Sequence, residues 1–384
     1  HAPARADLRI PTWWDPDGVG VGQDWHYRVP VTMPSTSSVN STATVDIAFN
    51  ALLSNLGISA GTTPFDINSV RVVRPNGTLA AVQQFTDRRF GNVTDVANNG
   101  AGEVRWIVQD GGTQTYYIYF DITANGAKSP NPQPPINGNF EFSATGQEDP
   151  IGWSGSKLNG FDAEVRPNEN VTVTDAGRTR NTAGGPNTGN FSYLMGRRTN
   201  AETQFSILNS ATLARNFTVP STNPGVITIR YRVEGWGSAQ NSNTNTGDYL
   251  QATVTNGFVS TQIISPVNNE YIIRPFSPNL GISPATTTNS GSGQYNGFDT
   301  TTTGVHTAGG TIPNGAEPWI TASIPLNTYA GNNVSIEFLT YNSTGDRSWV
   351  HIDDVEWSVV AGTAGAVEAF GTDILSPNSL LTLT

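Results

Sequence analysis

Apolar and polar residues alternate along most of the chain with a period of two. In "WHYRVPVTM" the side chains of Trp25, Tyr27, Val29, Val31 and Met33 fall on one face, and polar residues fall between most of them. Successive side chains of a β-strand point to opposite faces, so this pattern predicts a strand with one buried face. The same alternation recurs in "VDIAF" (45–49), "EVRWIV" (103–108) and "TYYIYFDI" (115–122). Only "NALLSNLGI" (50–58) has helical spacing, and Gly57 is placed to end it.

Short strands at regular intervals, separated by Gly, Pro, Asn and Asp, are typical of β-sandwiches. The sequence therefore predicts an all-β protein with two antiparallel, jelly-roll-like β-sandwich domains. The predicted divisions are a signal-peptide remnant (1–6), a first sandwich (7–125), a Pro-rich linker (126–135), a second sandwich (136–360) and a strand-like tail (361–384).

The composition limits the classes of partner. Only 13% of residues are charged and the net charge is −11. This charge disfavours nucleic acid, which is bound by basic surfaces. No apolar run reaches the roughly 18 residues of a membrane span. There is no cysteine, which excludes disulfides and thiolate metal sites. A weakly charged, acidic chain rich in Asn, Thr, Ser and Gly favours a secreted, extracellular β-protein at a cell surface.

The stretch "WWDPDGVGVGQDWH" has some features of a calcium-binding loop. Asp15, Asp17 and Gly20 match the first, third and sixth positions of such a loop, but Val19 and His26 replace two ligands. Asp15 and Asp17 are therefore calcium candidates. The alternative is an Asp/Pro/Gly turn that leads into the strand from Trp25.

The second predicted domain carries a more specific pattern. "NGNFE" (137–141) is followed by "PIGW" (150–153), and "HIDDVEW" (351–357) comes about 200 residues later. This ordered pair resembles the galactose-binding-like jelly rolls that include many carbohydrate-binding modules of bacterial glycoside hydrolases. The resemblance covers the first and last strands of 136–360 and not the middle. It implies a structural calcium ion beside these two strands, with Glu141, Asp354 and Asp353 as its ligands.

Carbohydrate binding requires exposed aromatic rings beside amide or carboxylate groups. Five aromatic residues of the second domain lie next to predicted loops and are the candidates for ligand binding: Trp236, Tyr249, Tyr295, Trp319 and Trp349. The alternative for each is a place in the core, where most aromatic residues of a sandwich are found.

No catalytic motif is present: the sequence has no G-x-S-x-G, no H-E-x-x-H and no phosphate-binding loop. We therefore expect a protein that is not an enzyme. The whole chain also resembles large extracellular proteins of bacterial pilus and surface-adhesion loci, through "DWHYRVPVTM", "NSVRVVRPNGTL" and "TYYIYFD".

Two functions remain. The first is a surface adhesion or structural subunit that binds copies of itself into a filament, by adding residues 362–384 or 7–11 as a strand to a neighbour. The second is a carbohydrate-binding accessory region of a larger secreted enzyme, with a polysaccharide as partner.

Overall fold

The structure is a computed structural model. It describes residues 13–17, 24–58, 65–87, 100–158, 161–167, 169–175, 178–184, 191–196, 209–235, 249–257, 259–267, 319–342 and 348–370. The chain forms two compact units. Unit 1 combines His1–Ile136 with the segment that begins at Val360, and unit 2 is Asn137–Val359.

The described residues of unit 1 before the unit boundary form six strands. They are β1 (Tyr27–Thr32), β2 (Thr42–Ala48), β3 (Arg71–Val73), β4 (Gln83–Asp87), β5 (Ala101–Ile107) and β6 (Thr115–Phe120). β1, β6 and β3 are neighbours in one antiparallel sheet, and β2, β5 and β4 are neighbours in a second. The predicted face of β1 is buried: Val29, Val31 and Met33 are fully buried. This confirms that the alternation in the sequence marks a core-facing side.

One α-helix, α1 (Phe49–Asn55), follows β2 directly. Phe49 and Leu53 are buried, since residues four apart lie on the same face of a helix. Gly57 has a φ of +79° just after the helix, a conformation that favours glycine and ends helices. A helix is thus present where 50–58 was predicted, but it starts one residue earlier and ends three residues earlier, at Asn55. Two single-turn 3₁₀ helices, Ile67–Ser69 and Thr123–Asn125, complete the unit.

The Pro-rich segment 126–135 runs along unit 1. The Ser129 carbonyl accepts a hydrogen bond from the Arg71 guanidinium at 2.7 Å, and the Pro134 carbonyl accepts one from the backbone amide of Gln83 at 3.1 Å. Proline lacks an N–H and cannot extend a sheet ladder, yet its carbonyl still accepts a hydrogen bond.

Unit 2 is built from twelve described strands: β7 (Ser154–Lys157), β8 (Asp162–Pro167), β9 (Glu169–Asp175), β10 (Arg178–Gly184), β11 (Phe191–Gly196), β12 (Asn209–Thr218), β13 (Val226–Gly235), β14 (Tyr249–Asn256), β15 (Val259–Val267), β16 (Ile320–Pro325), β17 (Asn333–Asn342) and β18 (Ser348–Trp357). Five form a sheet in the order β16-β13-β18-β11-β8, and five form a sheet in the order β15-β14-β17-β12-β7. β9 and β10 form a separate hairpin sheet. A 3₁₀ turn, Asn327–Tyr329, precedes β17.

Alternate residues of both five-stranded sheets make the core of unit 2. Val334, Ile336 and Phe338 on β17 are buried, while Asn333 and Glu337 are exposed. Tyr193 on β11 packs against Phe140 with ring centroids 5.6 Å apart. Two antiparallel sheets that each bury one face form a sandwich, and the predicted all-β sandwich class is confirmed.

After unit 2 the chain returns to unit 1 as three short strands: β19 (Val359–Ala361), β20 (Thr363–Ala364) and β21 (Glu368–Ala369). β19 pairs with β2, and both β20 and β21 pair with β1. We call residues 360–370 the strap. The sequence analysis assigned this segment to a separate tail, because the strands it pairs with lie more than 300 residues earlier and leave no local signal. Residues 7–11 and 371–384 lie outside the described residues.

Within the part of the chain that the structure describes, no helix has the length and apolar character needed to cross a membrane.

Candidate functional site

The two faces of the β16-β13-β18-β11-β8 sheet differ in chemistry. One face carries the core residues Tyr231, Ile352 and Tyr193. The strand sequences "ITIRYRV" and "HID" place polar side chains between these apolar ones, so the polar residues project from the opposite face. That face is nevertheless largely covered: Arg232 is 1% exposed and His351 is 4% exposed.

Strand pairing aligns five residues across this face. Arg232 pairs with His351, His351 with Leu194, and Leu194 with Glu164. At the other end, Tyr231 pairs with Ile320, which brings Arg232 beside Trp319. We call Glu164, Leu194, His351, Arg232 and Trp319 the cross-strand row.

Contacts within the cross-strand row hold the Trp319 ring in place. The guanidinium carbon of Arg232 lies over the Trp319 ring, 5.2 Å from its centroid, which is within the range of a cation–π interaction. The His351 ring meets Trp319 edge-on with centroids 6.4 Å apart. A hydrogen bond of 3.0 Å joins Ser192 Oγ and His351 Nδ1. Trp319 itself is half-buried, so an indole with fixed neighbours still reaches solvent.

Charged groups flank the row on both sides. Arg166 forms an ion pair with Glu164 on the same strand. Arg230 pairs with Asp353 in the ladder and donates a hydrogen bond to the Thr321 hydroxyl. The arrangement holds one partly exposed aromatic ring against buried polar groups from neighbouring strands. This combination suits the binding of a polar ligand with an apolar face.

The five predicted aromatic candidates have different outcomes. Trp319 is in the row. Trp349 lies in β18 and is 1% exposed, which disfavours direct contact with a ligand; its role in ligand binding stays a prediction. Tyr249 begins β14. Trp236 and Tyr295 lie outside the described residues.

The sequence analysis missed Arg232, His351 and Ser192. The alternation in "ITIRYRV" signalled a polar face, but it is also the pattern of an ordinary solvent-facing strand. Only strand order shows that β13 and β18 are neighbours, and only the three-dimensional structure shows that their polar side chains are buried together.

The two motifs on which the resemblance was based do meet in unit 2. The Val355 amide donates to the Gly138 carbonyl at 2.9 Å. A Cβ at position 138 would lie 2.1 Å from the Val355 carbonyl oxygen, so this approach requires glycine.

The predicted calcium ligands of unit 2 flank this contact in the sequence, with Glu141 after Gly138 and with Asp353 and Asp354 before Val355. Glu141 accepts a hydrogen bond from the Phe191 amide at 2.8 Å, and Asp353 accepts one from the Asp354 amide at 2.7 Å. Asp354 adopts a φ of +43°. The carboxylates of Glu141 and Asp353 bind backbone amides; calcium at Glu141, Asp353 and Asp354 stays a prediction.

Three carboxylates converge in unit 1. Oxygen atoms of Asp15, Asp17 and Asp24 lie within 4.8 Å of one another, the only such group of three acidic or metal-binding side chains among the described residues. Burial, and then the charges of Asp17 and Asp15, raise the pKa of Asp24. Oxygen atoms no farther apart than this can be reached by one Ca²⁺ with bonds of about 2.4 Å. The sequence analysis selected Asp15 and Asp17 but not Asp24. Calcium here also stays a prediction.

No protein-family model matches the chain, and no curated protein sequence matches it. Among solved structures, the carbohydrate-binding module TmCBM61 in complex with β-1,4-galactotriose is 13% identical, with a TM-score of 0.29, covering 58% of this chain and 94% of that one. A structure described as the basis for promiscuous specificity of carbohydrate-binding modules from the β-sandwich superfamily is 11% identical, with a TM-score of 0.24, covering 87% of this chain and 98% of that one. Both TM-scores are low, and the assignment of this chain to the β-sandwiches rests on its own sheet topology.

Proposed function

We propose that unit 2 binds a polysaccharide through the solvent-facing part of Trp319, whose ring is held by the buried members of the cross-strand row, without catalysis. The observation that carries the proposal is Trp319, a half-buried indole held against Arg232 and His351 at the end of the cross-strand row. A pyranose ring has an apolar C–H face and hydroxyl groups around its edge. The solvent-facing part of the indole matches the apolar face of the sugar.

Covered polar residues strengthen this proposal. An arginine and a histidine on the non-core face of a sheet would ordinarily stay in water, because burying a polar group costs free energy unless it is hydrogen-bonded. His351 is instead 4% exposed and held by Ser192. Groups fixed in this way lose little conformational entropy when a ligand binds.

The test is Trp319→Ala in the full chain, measured by affinity electrophoresis and calorimetry against a panel of neutral soluble polysaccharides. We expect binding to weaken about thirtyfold, since a central aromatic anchor contributes ~2 kcal/mol. Trp14→Ala is the matched control, because Trp14 is a half-buried tryptophan of unit 1. Unchanged binding by a folded Trp319→Ala protein, or equal loss in both variants, would overturn the proposal.

Assembly into a surface filament by strand addition has less support. The described part of the segment expected to reach a neighbour pairs with β1 of its own chain. A strand edge that is already paired is not open to another chain. We propose an extracellular location on the basis of composition alone, and immunodetection of the protein in the medium, on the cell surface and inside cells tests it.

A further inference from the structure

The strap joins the two sheets of unit 1. Its backbone amides donate to carbonyl oxygens on both sides of the sandwich: Gly362 to Thr44 (2.9 Å), Gly365 to Pro30 (2.7 Å) and Phe370 to His26 (2.8 Å). Thr44 belongs to β2, whereas Pro30 belongs to β1. The strap therefore crosses an open side of the sandwich and covers the backbone edge of β1.

Little apolar surface holds the strap in place. Ala369 is its only buried residue, while Val360 and Val367 pack against the core from partly exposed positions. Phe370 is 41% exposed. Segments with few buried apolar contacts open locally at a lower free energy than the core does.

One ion pair ties the strap to the interior. Arg28 is 0% exposed, and its Nε donates to a Glu368 carboxylate oxygen at 2.6 Å. The same guanidinium lies 4.5 Å from the Trp13 ring centroid and 4.6 Å from that of Tyr117. Opening the strap would remove the carboxylate from a buried cation, which is unfavourable.

The strap also packs closely against β1. A Cβ at position 362 would lie 2.5 Å from Val31 Cγ1. The strap can lie this close to β1 because the residue there is glycine. A segment that fits closely against β1 but buries little apolar surface is expected to be either fully docked or fully released.

We propose that the strap opens and closes as one unit, with the Arg28–Glu368 pair as its latch, while the core of unit 1 stays folded. In the closed state it protects the β1 edge from pairing with other chains, which is the usual hazard of an exposed strand edge. This inference concerns unit 1 and is independent of polysaccharide binding by unit 2.

The experiment is native-state amide hydrogen exchange on the full chain. We expect the amides of Gly362, Gly365 and Phe370 to exchange at one shared rate, faster than the amides of β6. In Glu368→Gln all three should exchange about tenfold faster, because a charge-assisted hydrogen bond to a buried cation is weakened.

Glu337→Gln is the matched control, since Glu337 is exposed on β17 of unit 2, and it should leave the three rates unchanged. Unchanged protection of β6 and unit 2 in Glu368→Gln shows that the variant is folded. Three unrelated rates, exchange only together with β6, or no response to Glu368→Gln would each overturn the proposal.

Discussion

Each unit buries an arginine beside a tryptophan, and the two pairs differ in what surrounds the ring. In unit 1 Arg28 is 0% exposed and lies 4.5 Å from the Trp13 ring, which is itself 7% exposed. In unit 2 Arg232 is 1% exposed and lies 5.2 Å from Trp319, which is half-buried.

The difference separates a structural pair from a candidate recognition pair. Arg28 donates to the Tyr119 hydroxyl at 3.0 Å and to Glu368, so the protein's own groups surround both the cation and the indole. Trp319 retains surface toward solvent. The same two residue types therefore point to stability in one place and to ligand binding in the other, and the exposure of the ring distinguishes them.

The largest expected effect on stability is at the Arg28–Trp13 pair of unit 1. Arg28→Ala should lower the free energy of unfolding of unit 1 by about 3 kcal/mol, since it removes a fully buried guanidinium that is hydrogen-bonded to Tyr119 and Glu368 and leaves a cavity. Urea unfolding of the full chain, followed by hydrogen exchange of each unit, measures this. Arg74→Ala is the control: its pair with Asp110 is partly exposed, with side chains 20% and 25% exposed, and should contribute about 0.5 kcal/mol. Equal losses in the two variants would remove the distinction.

Removal of divalent cations tests whether the predicted carboxylates of unit 1 or those of unit 2 bind calcium. If Asp15, Asp17 and Asp24 bind calcium, excess calcium at a hundredfold its Kd should stabilise unit 1 by ~2.7 kcal/mol over chelator-treated protein. Calorimetric melting with calcium and with chelator measures the shift, and Asp17→Asn should abolish it. A shift that persists in Asp17→Asn would assign calcium to Glu141, Asp353 and Asp354 instead; no shift would contradict both sites.

A pair of Tyr→Phe substitutions sharpens the comparison at a smaller scale. The Tyr119 hydroxyl bonds to Arg28 and also accepts from the Trp14 amide at 2.9 Å, so Tyr119→Phe should destabilise unit 1 by about 1.5 kcal/mol. The Tyr231 hydroxyl is buried and has no hydrogen-bond partner among the described residues. Tyr231→Phe should therefore stabilise unit 2 by about 1 kcal/mol, because an unsatisfied buried hydroxyl is removed. Urea unfolding decides, and destabilisation by both variants would contradict this assignment.

The stability of unit 2 at alkaline pH tests Tyr231→Phe in a second way. Burial raises the pKa of Tyr231 well above the usual 10.0, so above that pH the unfolded chain loses a proton that the folded chain keeps. The stability contributed by this group is fully present below pH 10 and is lost as the pH rises further. Tyr231→Phe should therefore make the alkaline loss of stability in unit 2 shallower. An unchanged slope between pH 9 and about 11 would contradict the raised pKa.

Local patterns in the sequence accounted for the elements that depend on neighbours in the chain. The buried face of β1 follows from alternation, and α1 follows from the spacing of Leu52, Leu53 and Leu56 with Gly57 after it. The meeting of "NGNFE" with "DDV" was implied by a family resemblance, and the Gly138–Val355 hydrogen bond realises it. The buried position of Trp349 was not predictable, because a tryptophan beside a turn and one inside a strand have the same local sequence.

The sequence by itself determined the all-β class and the core-facing side of β1, because both depend on the alternation of side chains along a single strand. Only the tertiary structure decided which strands are neighbours. Neighbouring strands bring Trp319, Arg232, His351 and Ser192 together from four separate parts of unit 2. They also join Arg28 to Glu368, 340 residues away. Such contacts depend on how whole sheets pair. Hydrophobic burial supplies the free energy for that pairing, and the local sequence does not specify it.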